Sequence, residues 1–132
     1  MLIDSIVSDM DDTLLGEDCT LSPYTIDVLR RCTERGIRVI PASGRAMKSL
    51  LPYLRQLNTG SPAIGCNGAQ LIAPDLSLLS CQEFDAELAR EIISFMLENG
   101  IYVQVYKDDY FYYATECDAS KQYKKSSGME GK

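Results

Sequence analysis

The stretch Ser8-Asp9-Met10-Asp11-Asp12-Thr13-Leu14-Leu15 sets three carboxylates within four residues, directly after a short apolar run from Ile3 to Val7. Like charges this crowded are costly unless a cation or a shared proton offsets them. An acidic loop that caps the next helix would use the same residue types. On these residues alone both readings stand. The β-branched residues before the cluster suit a buried strand, and the C-terminal end of such a strand opens onto the ligand crevice of an α/β sheet.

The chain contains no histidine. His triads, His metal sites and His bases are therefore excluded, and acid–base work falls to carboxylates, Lys, Tyr or Cys. Its 132 residues suffice for one domain with a core, or a small core plus part of a second module. With 45% apolar and 24% charged residues it reads as an ordinary globular protein. A net charge of −6 argues against a nucleic-acid partner and suits a site that binds a cation. The five cysteines are scattered and include no Cys-x-x-Cys pair, so neither a disulfide framework nor a zinc site is expected. No apolar stretch approaches membrane-spanning length and no secretory leader pattern opens the chain. The expected location is the cytoplasm, with no membrane partner.

The elements that must position the acidic cluster follow from local signals. Gly16 to Thr20 is a polar loop. Ser22 and Pro23 form an N-cap and first helical residue, Ile26, Leu29 and Cys32 carry a helical stripe, and Gly36 ends it. Ile37 to Ala42 is the second strand, closed by the turn Ser43-Gly44-Arg45. Ala46 to Leu57 is a second helix with Leu50, Leu51, Leu54 and Leu57 inward, and Pro52 is expected to kink or shorten it. Ala63 to Cys66 is a third strand, followed by Asn67-Gly68. These short connections imply right-handed crossovers and a parallel sheet. Pro74-Asp75 turns a hairpin between Leu71-Ile72 and Leu78-Leu79. Asp85 to Asn99 is an amphipathic helix with Leu88, Ile92, Phe95 and Met96 inward. Ile101 to Tyr106 and Tyr110 to Ala114 form a second, tyrosine-rich hairpin. From Asp118 to Lys132 the chain is polar and lacks periodicity, so it is expected to be loose.

The order Asp9-Met10-Asp11-Asp12-Thr13-Leu14-Leu15 resembles the first motif of haloacid dehalogenase-like phosphohydrolases, in wording most like their Cof-type sugar-phosphatase branch. The resemblance covers nearly the whole chain. Ala42-Ser43-Gly44-Arg45 matches the second motif and Asn67-Gly68-Ala69 a segment after the third strand. The helix and hairpin from Asp85 to Thr115 look like the opening of the family's cap domain. One departure is Asp12, where relatives often have Gly. The resemblance implies an α/β fold: a partial Rossmann-like parallel sheet of three strands with helices at 1–84, and the beginning of an α+β cap at 85–132.

It also implies an activity, hydrolysis of small phosphomonoesters such as sugar phosphates with Mg²⁺. Asp9 would attack phosphorus to give an aspartyl-phosphate. Asp11 would protonate the leaving oxygen and then activate water, which requires the two carboxyls to differ in proton affinity. Mg²⁺ would sit on the Asp9 carboxylate and the Asp11 backbone carbonyl. The Ser43 hydroxyl would hold a phosphoryl oxygen, with Gly44 and backbone N–H groups at the next helix start. Arg45 reaches phosphate or pairs with a carboxylate, and Asn67 is either a substrate-side residue or a plain turn.

The family's later lysine and acidic metal pair have no counterpart after Thr115. The chain thus resembles the N-terminal portion of a longer enzyme, inactive by itself, with a sheet edge open to a second copy. Two other classes fit less well. A receiver-like phosphoacceptor module would carry its acceptor after the third strand, where Cys66-Asn67 stand. A non-catalytic fragment or regulatory relative would keep the fold and bind a partner.

Overall fold

The computed structural model describes residues 3–132, which divide into two units, one ending at Cys81 and the other Gln82–Lys132. In the first, a five-stranded sheet runs in the order β1 (Ser5–Asp9), β2 (Arg38–Ala42), β3 (Ala63–Gly65), β4 (Gln70–Ile72), β5 (Leu78–Cys81). The first three strands are parallel, as expected, and the β4–β5 hairpin extends the same sheet in antiparallel fashion. β1 runs two residues beyond the apolar stretch, because its ladder with β2 continues to the pair Asp9↔Ala42. The first carboxylate is therefore the last residue of the strand.

Helix α1 (Pro23–Glu34) starts where Ser22 accepts the Thr25 N–H, and α2 (Met47–Leu57) ends at Asn58 in the left-handed conformation. Pro52 does not shorten α2, which runs through it to Leu57. Both helices join one apolar core. Leu29, Leu50, Leu54 and Leu57 meet Val39, Ala63 and Ile72 of the sheet, with Met10, Leu15 and Leu21 closing the end near the acidic motif. Leu51, expected inward, is only half-buried.

The second unit contains α3 (Ala86–Glu98), the hairpin β6 (Gln104–Lys107) and β7 (Tyr110–Tyr113), α4 (Asp118–Ser127) and β8 (Glu130–Gly131). Two expectations are corrected here. The segment from Asp118 is ordered: α4 has a reciprocal cap at Cys117 and Ser120, ends at left-handed Gly128, and delivers β8 parallel to β7. Its anchors are sparse but buried, with Phe111 and Met129 inside and the Tyr123 ring 5.0 Å from that of Phe111. Few apolar positions suffice where each lands on one aromatic centre, so no periodicity marks them in sequence. Conversely, α3 buries none of its residues. Leu88, Ile92 and Phe95 are exposed, since a unit this small has too little surface to cover a whole helix face. The unit boundary also falls slightly before the expected residue 84.

Two stability outcomes follow from this packing. Leu50 is fully buried, so Leu50→Ala should lower the unfolding free energy by about 2–5 kcal/mol in urea titrations. A Cβ on Gly131 would lie 2.7 Å from the Phe111 and Tyr113 rings. Gly131→Ala should therefore cost about 1–3 kcal/mol through overpacking. A neutral result for Gly131→Ala, by circular dichroism during unfolding, would contradict the placement of β8.

Candidate active site

Three turns at the C-terminal ends of β1, β2 and β3 build the site. After Asp9 the chain folds into a tight turn, Met10–Leu14, closed by the Leu15 N–H on the Met10 carbonyl at 2.8 Å. Met10 is buried and anchors the turn. Asp12 takes φ +56°, the left-handed conformation that glycine adopts without strain and aspartate tolerates. Beyond the turn, Leu15 and Leu21 bridge to each other, and the loop between them is closed by Gly16 N–H on the Thr20 carbonyl.

Asp9, Ser43, Gly44 and Asn67 line one open depression of about 280 Å³ together with Ala42, Ile64 and Gly68. The ladder sets Asp9 opposite Ala42, so Ser43 follows one residue past the carboxylate's partner. Ser43 is buried, and its Oγ accepts the Arg45 N–H at 3.1 Å. Its own proton has no acceptor among the described residues and is available to an oxygen in the depression. Asn67, with φ +52°, packs against Gly44: a Cβ there would lie 2.9 Å from Asn67 Oδ1. The Asp9 carboxylate is exposed and has no hydrogen-bond or ion-pair partner among the described residues.

Asp11 and Arg45 stand outside this lining and bind each other. Arg45 Nε donates to Asp11 Oδ2 at 2.9 Å and Nη2 to Oδ1 at 2.7 Å, a two-pronged pair. Arg45 is 10% exposed at its side chain against 44% for Asp11, so the guanidinium is the buried partner. It also donates from Nη1 to Ser49 Oγ at 3.1 Å and lies 5.4 Å from the centre of the Tyr53 ring. The Tyr53 hydroxyl in turn donates to the Cys19 carbonyl at 3.0 Å, tying α2 to the loop after the acidic turn. Hydrogen bonding to Asp11 raises the Arg45 pKa above the ordinary arginine value, so the cation is permanent. Of the two readings open for Arg45, the structure shows the carboxylate pair. The first N–H of α2, expected to face phosphate, is taken by the side chain of Gln70 at 2.8 Å.

Tyr53, Ser49 and Gln70 escaped the sequence reading. Only Ser49, one helical turn after Arg45, carried a signal, and it is a weak one. A second depression of about 250 Å³, lined by Arg55, Asn58, Thr59 and Asp75 among others, lies at the other end of α2. Its Asp75 is occupied by Ser77 and it holds no paired groups suited to acid–base work.

The Arg45 network yields a graded expectation. Arg45→Met removes every bond at once and should cost about 1–3 kcal/mol, moderated by the exposure of Asp11. Tyr53→Phe removes one hydroxyl bond and should cost about 0.5–1.5 kcal/mol. Urea unfolding of both variants checks the order; equal and negligible losses would show that the network holds nothing.

The haloacid dehalogenase-like hydrolase family matches residues 6–131. The chain is 30% identical over 105 residues to a 5-amino-6-(5-phospho-D-ribitylamino)uracil phosphatase, YwtE, of Bacillus subtilis, covering 80% of this chain and 36% of that protein. It is 32% identical over 109 residues to the pyridoxal phosphate phosphatase YbhA of Escherichia coli, covering 82% and 40%. Among solved structures, a haloacid dehalogenase-like hydrolase from Bacteroides thetaiotaomicron superposes with a TM-score of 0.85 at 20% identity, over 99% of this chain and 51% of that one. The chain thus spans about half or less of the length of the proteins it matches. With the family matched across nearly its whole length and the fold shared, the chain belongs to the haloacid dehalogenase-like hydrolases.

Proposed function

We propose that this chain carries the nucleophile side of a Mg²⁺-dependent, Cof-type phosphomonoesterase that acts on small phosphorylated metabolites, sugar phosphates among them, in the cytoplasm. The observation that carries the reading is the Asp9↔Ala42 register, which sets an unpartnered carboxylate beside a buried hydroxyl with a free proton in one depression. Two relatives that act on phosphorylated small molecules support the substrate class.

In this reading an Asp9 oxygen bonds to phosphorus while the ester P–O bond breaks. The Ser43 hydroxyl donates a hydrogen bond to a non-bridging oxygen. The leaving oxygen takes a proton from Asp11, which then takes one back from the water that cleaves the aspartyl-phosphate, releasing inorganic phosphate and restoring Asp9. The hard oxygen of a free Asp9 carboxylate fits Mg²⁺, with the Asp11 main-chain carbonyl as the second protein donor. When bound, the ion neutralises charge on the phosphoryl oxygens. Asp11 takes the acid role only after leaving Arg45, because a carboxylate that accepts from a guanidinium through both oxygens has no proton to give.

The set is incomplete among the described residues. No lysine lines the depression, and no group of three acidic or sulfur side chains is placed to hold a metal ion. One missing preorganised donor costs on the order of 10²–10³ in rate, so this chain alone should turn over slowly. Hydrolysis of p-nitrophenyl phosphate with Mg²⁺, followed by trapping of the acyl-phosphate, checks both points. Asp9→Asn should abolish all residual turnover and trapping. Retention of half the wild-type rate by Asp9→Asn would sink the covalent reading, and about 10 turnovers per second from the wild-type chain would sink the incomplete site.

A further inference from the structure

Helix α2 begins without a cap of its own. Ala46, the residue before it, has no side-chain acceptor, although the first N–H groups of any helix need partners. The acceptor comes from 23 residues away. Gln70 Oε1, on β4, takes the Met47 N–H at 2.8 Å and the Cys66 thiol at 3.4 Å. Both groups are donors, so the carboxamide oxygen, not its nitrogen, must face them; the nitrogen faces Cys81 Sγ at 4.0 Å.

These contacts meet at the two turns that line the depression. Ser43 N–H donates to the Ile64 carbonyl at 2.9 Å, Asn67 N–H to the Ser43 carbonyl at 3.2 Å, and Cys66 N–H to the Arg45 carbonyl at 2.9 Å. The turn after β2 and the turn after β3 are thus laced by main-chain bonds, and Gln70 joins their ends from β4. Gly65, the ladder partner of Gln70, lies close to the same turn. A Cβ there would lie 3.2 Å from the Arg45 carbonyl and 3.5 Å from Gln70 Oε1. Burial pushes the Cys66 thiol up from its ordinary pKa, which keeps its proton for the bond.

We propose that Gln70 is a positioning residue of the phosphate-binding side: by holding the start of α2 and Cys66 on one oxygen, it fixes Ser43 and Asn67 against each other. The inference rests on the functional reading above, because it gives those two residues a common phosphoryl ligand. Glutamate keeps the acceptor and leucine removes it. Ser22→Ala is the control, since it removes a cap of the same kind from α1, away from the depression.

The test pairs orthovanadate binding with Mg²⁺ against residue-resolved amide exchange by NMR, in the wild-type chain and the three variants. Gln70→Leu should weaken vanadate about tenfold or more, as a displaced donor does. It should also speed exchange of the Met47 and Cys66 amides about tenfold. Gln70→Glu should stay near wild type in both, and Ser22→Ala should leave vanadate affinity unchanged. Vanadate binding by Gln70→Leu at wild-type strength overturns the proposal, as does equal weakening in Ser22→Ala or failure of glutamate to rescue. If the wild-type chain binds no vanadate, the functional reading fails on its own. The exchange rates then decide whether Gln70 holds the two turns: acceleration in leucine but not glutamate upholds it, and no acceleration overturns it.

Discussion

The parallel ladder between β1 and β2 is the constraint on which the site depends. Its five register pairs end at Asp9↔Ala42, so the carboxylate and the Ser43 turn leave the sheet at the same level. A slip of one residue would turn every side chain of β1 to the opposite face. It would carry Asp9 away from Ser43 and draw Met10, the buried anchor of the acidic turn, out of the core. The register is held by unequal burial of the two faces. Val39 and Pro41 of β2 point into the packed side with α1 and α2, whereas Val7 of β1 remains exposed.

Charge is managed by separation. Three carboxylates stand within four residues, yet the structure sends them to different environments. Asp9 faces the depression without a partner, Asp11 is drawn onto Arg45, and Asp12 turns into solvent on a left-handed residue. Pairing Asp11 with a nearly buried cation leaves Asp9 as the unpartnered carboxylate beside Ser43. The same guanidinium rests on Tyr53, whose hydroxyl holds the loop after the acidic turn. Electrostatics at the site and the position of that loop therefore depend on one side chain.

The two units differ in how they bury their apolar residues. The first has a continuous core of aliphatic side chains between helices and sheet. The second relies on Phe111, Met129 and Tyr123 around a three-stranded sheet, and leaves the apolar face of α3 in solvent. Large aromatic groups compensate for the shortage of aliphatic ones, since each buries much area per residue.

Much of this was legible in the residues themselves. Ser22-Pro23 starts a helix because the hydroxyl and the fixed φ of proline act within one turn of chain. The β-branched runs, the Pro74-Asp75 hairpin and the crossover order depend on equally local chemistry, and the motif Asp9 to Leu15 was readable as a site for the same reason. What sequence did not disclose depends on contacts between distant residues. Arg45 could have reached phosphate or a carboxylate, and a separation of 34 residues leaves no trace that Asp11 receives it. Gln70 looks like any strand glutamine until β4 pairs with β3 and brings its oxygen to Met47. The segment after Asp118 reads as loose because its order comes from a few side chains meeting Phe111, not from a repeating stripe. Short-range preferences settled which elements form and where the acidic cluster lies. Which carboxylate stays free, and what holds the turns around it, was decided only by the packing of the sheet.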